Sequence, residues 1–265
     1  MSSSNYLEEH YESYDEDGRF RRDKAHSIEF VTTTRYIDRY LKPHDKILEV
    51  GAGTGAYSLH YADKGHEVEA VELLQRNVDI FKSKIKQGVK VNVRLSDAID
   101  LSEFDDNTFD VTLVLGPLYH LYSDEDKKKA ISEALRVTKT NGYVFIAYLT
   151  HGSIMLHFGL VKGNLLHIKD MVDSEYRFKD DPKEIFTAFY VDEFEKLMEQ
   201  FPCEHLNSVA TDGVVTSVNG ELIETVDKLS DEEFQIWLDY HLKTCERRDL
   251  QGYSSHMLHI CKKHE

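Results

Sequence analysis

Between positions 47 and 55 the run Ile47-Leu48-Glu49-Val50-Gly51-Ala52-Gly53-Thr54-Gly55 brings an acid and three alternating glycines into one short stretch. Glycines at every second position let a backbone turn tightly and lie against a ligand with no side chain between them. A helix that follows offers that ligand its unpaired N–H groups. Glu49 sets the sign of the contact. A carboxylate just before the loop repels a pyrophosphate and holds a cationic amine, so the ligand is expected to carry an ammonium in this corner. Gly51, Gly53 and Ala56, with an acid about twenty residues on, also satisfy a dinucleotide-binding loop. The loop alone leaves both readings open.

Three later stretches carry matching chemistry. Glu67 to Leu73 alternates into a second strand ending at Glu72, whose carboxylate can accept hydrogen bonds from ribose hydroxyls. A third strand, 91 to 98, ends in Leu95-Ser96-Asp97-Ala98; Asp97 can accept from an exocyclic amine, and Ala98 leaves room for a ring. A fourth, from Phe109, breaks at Gly116-Pro117 and runs on as Leu118-Tyr119-His120-Leu121. In this order the four motifs resemble those of class I S-adenosylmethionine-dependent methyltransferases, in particular bacterial small-molecule enzymes in which a Gly-Pro-Leu-Tyr-His-Leu run recurs. A dinucleotide enzyme has no need for that run.

The resemblance implies S-adenosylmethionine as cofactor, with Glu49, Gly51, Ala52, Gly53, Thr54 and Gly55 around its methionine part, Glu72 at the ribose, Asp97 and Ala98 at the adenine, and Leu73 and Leu115 as further cofactor contacts. It also implies an N-terminal segment folded over the cofactor, from which Tyr14 and Arg19 are the expected contacts, Arg19 holding the cofactor carboxylate. Methyl transfer from a sulfonium is an in-line displacement, and alignment in a dry pocket supplies most of the rate. A base is needed only for an acceptor that holds its proton at neutral pH. Tyr119 and His120 are the catalytic candidates, and His256 joins Tyr119 as a substrate contact on the same rim. The expected function is methyl transfer to O, N or S of a small molecule. The alternative is a non-catalytic protein of the same fold that binds or senses the cofactor.

Metal and hydrolase chemistry find no support. His256, His259, Cys261 and His264 lie in an expected strand, where alternate residues face opposite sides and cannot converge on one ion. No Ser or Cys sits in a G-x-S-x-G pattern.

The elements that must position these residues alternate strand and helix, which implies an α/β fold: a doubly wound, seven-stranded, mostly parallel, Rossmann-like sheet with α-helical cap insertions. Residues 1–44 read as an N-terminal lid segment and a helix (Ile28 to Leu41, with Val31, Ile37, Tyr40 and Leu41 facing the sheet). Residues 45–150 read as the cofactor-binding core, including a helix from Asp124 to Lys139 ended by Asn141-Gly142 and a strand from Tyr143. Residues 151–188 and 212–253 read as cap insertions on the ligand rim, 189–211 as core continued, and 254–265 as the last, antiparallel strand. Ser230-Asp231-Glu232-Glu233 is a capping box opening a helix whose Phe234, Trp237, Leu238, His241 and Cys245 are expected to form the cap's own core.

Charge narrows the partners. Asp and Glu outnumber Lys and Arg 48 to 32, giving a net charge of −16; a nucleic-acid enzyme would need a basic face, so a small-molecule acceptor is expected. Lys127-Lys128-Lys129 reads as a solvated helix face. The first eighteen residues hold six acids and no Lys or Arg, yet Tyr6, Tyr11 and Tyr14 set them apart from an ordinary solvated tail. No signal peptide or membrane span is read, and Cys203, Cys245 and Cys261 are scattered, so a cytoplasmic, reducing setting is expected.

Overall fold

The computed structural model describes residues 7–8, 11, 14–181, 183, 186–216 and 220–264. One sheet carries seven strands in the order β3-β2-β1-β4-β5-β7-β6. They are β1 Lys46–Val50, β2 Glu67–Glu72, β3 Val91–Leu95, β4 Phe109–Val114, β5 Thr138–Leu149, β6 Cys203–Ala210 and β7 His256–Lys263. Strands β1 to β5 pair in parallel, and β7 runs antiparallel to both β5 and β6. Every residue of β1 after Lys46 is buried, as is nearly all of β4, because helices cover both faces of the sheet. Strand order reverses between β1 and β4. That reversal opens a crevice beyond their carboxyl ends, where the glycine loop and the Gly116-Pro117 turn lie.

The helix that leads into β1, α1, is Lys24–Ile37, not Ile28 to Leu41. Asp23 starts it earlier by accepting the His26 N–H at 2.8 Å, and Arg39 N–H donating to Tyr36 O tightens its end into a turn. Ile37, Tyr40 and Leu41 do pack on the sheet's core. Val31 does not: with Ala25 and Ile28 it faces Val215, Val226, Phe234 and Leu238. Helices α2 (Ala56–Asp63), α3 (Gln75–Lys84) and α4 (Asp124–Val137) follow strands β1, β2 and β4. Ser123 caps α4 by accepting the Asp126 N–H.

Two expected boundaries move. Asn141-Gly142 does not end a helix but kinks β5, which already pairs with β4 at Thr138; the register shifts between Phe109 and Val111, and Asn141 takes φ 65°. A Cβ on Gly142 would lie 2.7 Å from Asp110 O, so the bulge needs glycine. Strand β3 ends at Leu95, and Ser96 to Ala98 turn away toward the crevice while the Ser96 N–H still donates to Glu72 O at 3.0 Å.

After β5 come α5 (His151–Ile154), a π-helix (Met155–Val161) and α6 (Leu165–Met171), then α7 (Val191–Met198) before β6. Between β6 and β7 lie α8 (Gly220–Asp227), α9 (Asp231–Thr244) and α10 (Arg248–Gln251). Leu149 pairs with His256, so both segments spring from the rim on which the glycine loop lies. Ser230 and Glu233 form the capping box of α9, whose Phe234, Leu238 and Trp237 pack with α1. Cys245 belongs instead to the sheet's core, with its Sγ 3.2 Å from the Tyr36 hydroxyl.

Candidate functional site

The three loop glycines all have positive φ, 71°, 53° and 87° for Gly51, Gly53 and Gly55. Two of them are also required by packing. A Cβ on Gly51 would lie 2.5 Å from the Pro117 ring, and one on Gly55 2.6 Å from Phe81. Gly53 is different: the nearest atoms to its Cβ would be those of the Glu16 side chain, from 3.4 Å, an ordinary contact. The open face of Gly53 borders a cavity of about 350 Å³ lined by Glu49, Gly51, Ala52, Glu72, Leu73, Asp97, Ala98, Leu115, Tyr119, His120 and Arg19. Thr54 and Gly55 are not on its wall; Gly55 packs against Phe81. Tyr14 is not on it either, and lines a neighbouring chamber instead.

Glu72 is fixed at the cavity wall by three donors. Its Oε2 accepts from Gly53 N–H at 2.8 Å, and its Oε1 accepts from Leu74 N–H at 3.0 Å and Asn77 Nδ2 at 3.2 Å. Burial raises its pKa against the pull of these bonds. A carboxylate has about four acceptor sites, so one remains on Oε2 for a ligand hydroxyl. Asn77 was not read from the sequence, although it sits where a helix begun at the end of β2 must return a side chain to that strand.

Glu49 is 2% exposed, and its Oε2 accepts from the Ser58 N–H at 2.8 Å and from the Ser58 hydroxyl. Desolvation outweighs those bonds and pushes its pKa up to about 8. The folded protein therefore holds a proton here that the unfolded chain has released, and stability falls by about 1.4 kcal/mol per pH unit across the window from the usual carboxylate range to about 8. Glu49→Gln removes this dependence. Melting curves at pH 5.5 and 8 should show wild type losing more stability than Glu49→Gln; parallel losses would place an ionised Glu49 in the free protein.

A second chamber of about 450 Å³ adjoins the first, and the two share Tyr11, Glu16, Arg19, Glu29 and Tyr119 in their walls. Its far wall is mostly apolar, with Leu149, Ile154, Phe158, Met171, Phe178 and Phe186, and His256 and Asp212 close it on the β7 side. Arg19, expected at the cofactor carboxylate, is instead bound to both oxygens of Glu29 at 2.7 and 2.6 Å, with its Nη2 3.1 Å from His256 Nε2. His120 Nε2 lies 3.1 Å from the Tyr11 hydroxyl. The Tyr119 hydroxyl donates to Leu115 O at 3.2 Å, and burial pushes its pKa to about 12, so at neutral pH it is a donor and not a base. Among the described residues, Glu29, Asp212 and His256 bring potential metal-ligating atoms together, a set the strand argument did not consider. The Arg19 guanidinium stands within that set.

Residues 48–146 match the methyltransferase-domain family. The chain carries a class I S-adenosylmethionine-dependent methyltransferase domain. A demethylmenaquinone methyltransferase of Renibacterium salmoninarum is 36% identical over 110 residues, 41% of this chain and 43% of that protein. The chain thus spans less than half the length of that relative. A glycine/sarcosine N-methyltransferase of Aphanothece halophytica is 24% identical over 201 residues, 74% of each chain. Among solved structures, a SAM-dependent methyltransferase from Methanosarcina mazei superposes with TM-score 0.57 at 19% identity, covering 86% of this chain and 97% of its own. The cyclase SpnF superposes equally well, TM-score 0.57 at 16% identity over 89% and 80%. Fold alone therefore leaves the reaction of such a methyltransferase domain open, and the site must supply the rest.

Proposed function

We propose that this domain transfers the methyl group of S-adenosylmethionine to a small-molecule acceptor held in the second chamber. The observation that carries the reading is the junction of the two chambers at Tyr11, Glu16, Arg19, Glu29 and Tyr119. The first chamber offers what the cofactor needs: an open glycine face, an acid in Glu49 whose proton the arriving ammonium would displace, an acid for its diol in Glu72, and an acid for its adenine amine in Asp97. Once bound, the cofactor supplies an electrophilic methyl group on sulfur. The chain's own work is to hold the acceptor in line with that bond and keep water out. Size and lining favour an acceptor with an apolar body over one the size of glycine. The test is saturable binding of S-adenosylmethionine, displaced by S-adenosylhomocysteine, together with label transfer from its methyl group to an apolar acceptor. Binding without transfer to any acceptor would favour the sensing alternative.

The N-terminal segment belongs to this reading as a lid. Glu16 and Arg19 line both chambers, and Asp17 pairs with Lys84 on α3. Tyr6 lies outside the described residues. Deleting residues 1–18 removes Glu16 but leaves Asp23 to cap α1, so the sheet and its melting behaviour should change little while cofactor affinity and turnover fall together. Full activity of the truncated protein would reduce the segment to an acidic tail.

A further inference from the structure

The second chamber ends in a group of four side chains drawn from four parts of the chain: Arg19, Glu29 on α1, Asp212 after β6, and His256 at the start of β7. Asp212 has no exposed side-chain surface. Its Oδ1 accepts from the Ser254 hydroxyl at 2.7 Å and the His256 N–H at 3.1 Å; its Oδ2 accepts from the Thr216 hydroxyl at 2.7 Å and His256 Nδ1 at 2.9 Å. Burial opposes its ionisation, but the bonds from His256 and Thr216 prevail and hold its carboxyl below the ordinary range. An ionised carboxylate can only accept, so Nδ1 carries the imidazole proton. Nε2 faces Arg19 Nη2 at 3.1 Å, and because a guanidinium has no lone pair to give, Nε2 must be the acceptor. The imidazole is therefore neutral and fixed in one tautomer, its Nε2 lone pair held by Arg19 at the chamber wall.

We propose that His256, held by Asp212, is the base that takes the proton from a hydroxyl group on an apolar acceptor, and that Arg19 stabilises the oxyanion left behind. This rests on the second chamber being the acceptor site. The Arg19 N–H and the Nε2 lone pair satisfy each other at 3.1 Å, so an acceptor atom that parts them and replaces their contact must accept from the first and donate to the second. A neutral hydroxyl does both. An ammonium has no lone pair for the guanidinium and adds a like charge beside it. Glu29 Oε2 lies 3.5 Å from Nδ1, Glu16 lies on the same junction, and the Tyr119 ring is centred 6.0 Å from the imidazole. Burial and Arg19 disfavour the imidazolium, yet Glu29 and Asp212 outweigh them and raise the pKa of His256 above its ordinary value, which strengthens it as a base.

The step balances without a further reactant. The hydroxyl proton moves to Nε2 as oxygen bonds the methyl carbon, and the methyl–sulfur bond breaks with its electron pair remaining on sulfur as a neutral thioether. The imidazolium then returns its proton to solvent. His120, the catalytic candidate read from the sequence, lines the first chamber instead.

The test uses the full chain with 2-naphthol and 2-naphthylmethylamine, an ammonium at neutral pH, as probes, reading methyl transfer from labelled S-adenosylmethionine. The expected result is transfer to 2-naphthol in preference to the amine. His256→Gln should lower that rate by about 10²- to 10⁴-fold while S-adenosylhomocysteine binds as in wild type. Asp212→Asn should move the acidic limb of the kcat/KM profile to lower pH, because a carboxylate that supports the imidazolium is gone; a merely structural role would lower activity without moving the limb. Preference for the amine, no transfer to 2-naphthol by protein that binds S-adenosylmethionine, or a His256→Gln variant at near wild-type rate would each overturn the proposal. Failure of wild type to bind S-adenosylmethionine would strike the proposed function instead.

Discussion

A valine at position 53 is expected to abolish cofactor binding, with a loss of at least about 100-fold in affinity. Gly53 has φ 53°, a conformation that a β-branched residue adopts only under strain of about 1–3 kcal/mol. Two consequences follow in the site. The new side chain occupies the open face of the loop, and relief of the strain rotates the Gly53 N–H away from Glu72 Oε2, which it now meets at 2.8 Å. Gly65→Val is the control: Gly65 has φ 94°, and nothing lies within 4 Å of the space its Cβ would take. Both variants should lose similar stability in thermal melts, and only Gly53→Val should lose calorimetric binding. Equal binding by the two would remove the loop from the cofactor site.

Glu72→Ala should weaken S-adenosylmethionine by about 10- to 150-fold, the 1.5 to 3 kcal/mol expected for hydrogen bonds to a charged acceptor. The carboxylate holds the Gly53 and Leu74 N–H groups in place and keeps one acceptor site toward the cavity. Its loss removes a ligand contact and loosens the loop together. Because the ribose lies far from the reacting carbon, the effect should appear in the cofactor's KM, with kcat nearly unchanged. Unchanged affinity in a folded variant would take Glu72 out of the site.

What the sequence made legible was whatever chemistry is local. Glu49, the glycines, Glu72 and Asp97 each stand at a strand end, where an apolar run breaks and the residue type declares its role. The mostly parallel, doubly wound sheet followed from the alternation of strand and helix. Boundaries failed where tertiary pairing overrode a local signal: Asn141-Gly142 reads as a helix stop, yet the ladder to β4 absorbs it as a bulge. The far half of the site was not legible because it is assembled across the chain. Arg19 reaches Glu29 and His256, and His256 reaches Asp212, contacts whose sequence separations carry no pattern. One signal was available. Thr211-Asp212-Gly213 places an acid just beyond β6 on the ligand rim, the position at which Glu72 and Asp97 were recognised on β2 and β3. Arg19 was assigned to the cofactor carboxylate from the resemblance and its charge, and Glu29, on the helix that follows, holds it here.

The most direct test of the central claim, that the glycine-loop cavity holds the cofactor and opens onto the acceptor chamber, is a crystal structure of the full chain with S-adenosylhomocysteine. The account predicts the ribose hydroxyls within hydrogen-bonding distance of Glu72, the amine at Glu49, and the sulfur at the junction beside Tyr119 and Arg19, facing the chamber that His256 closes. A ligand bound with its sulfur turned away from that chamber, or bound outside the glycine-loop cavity, would contradict it.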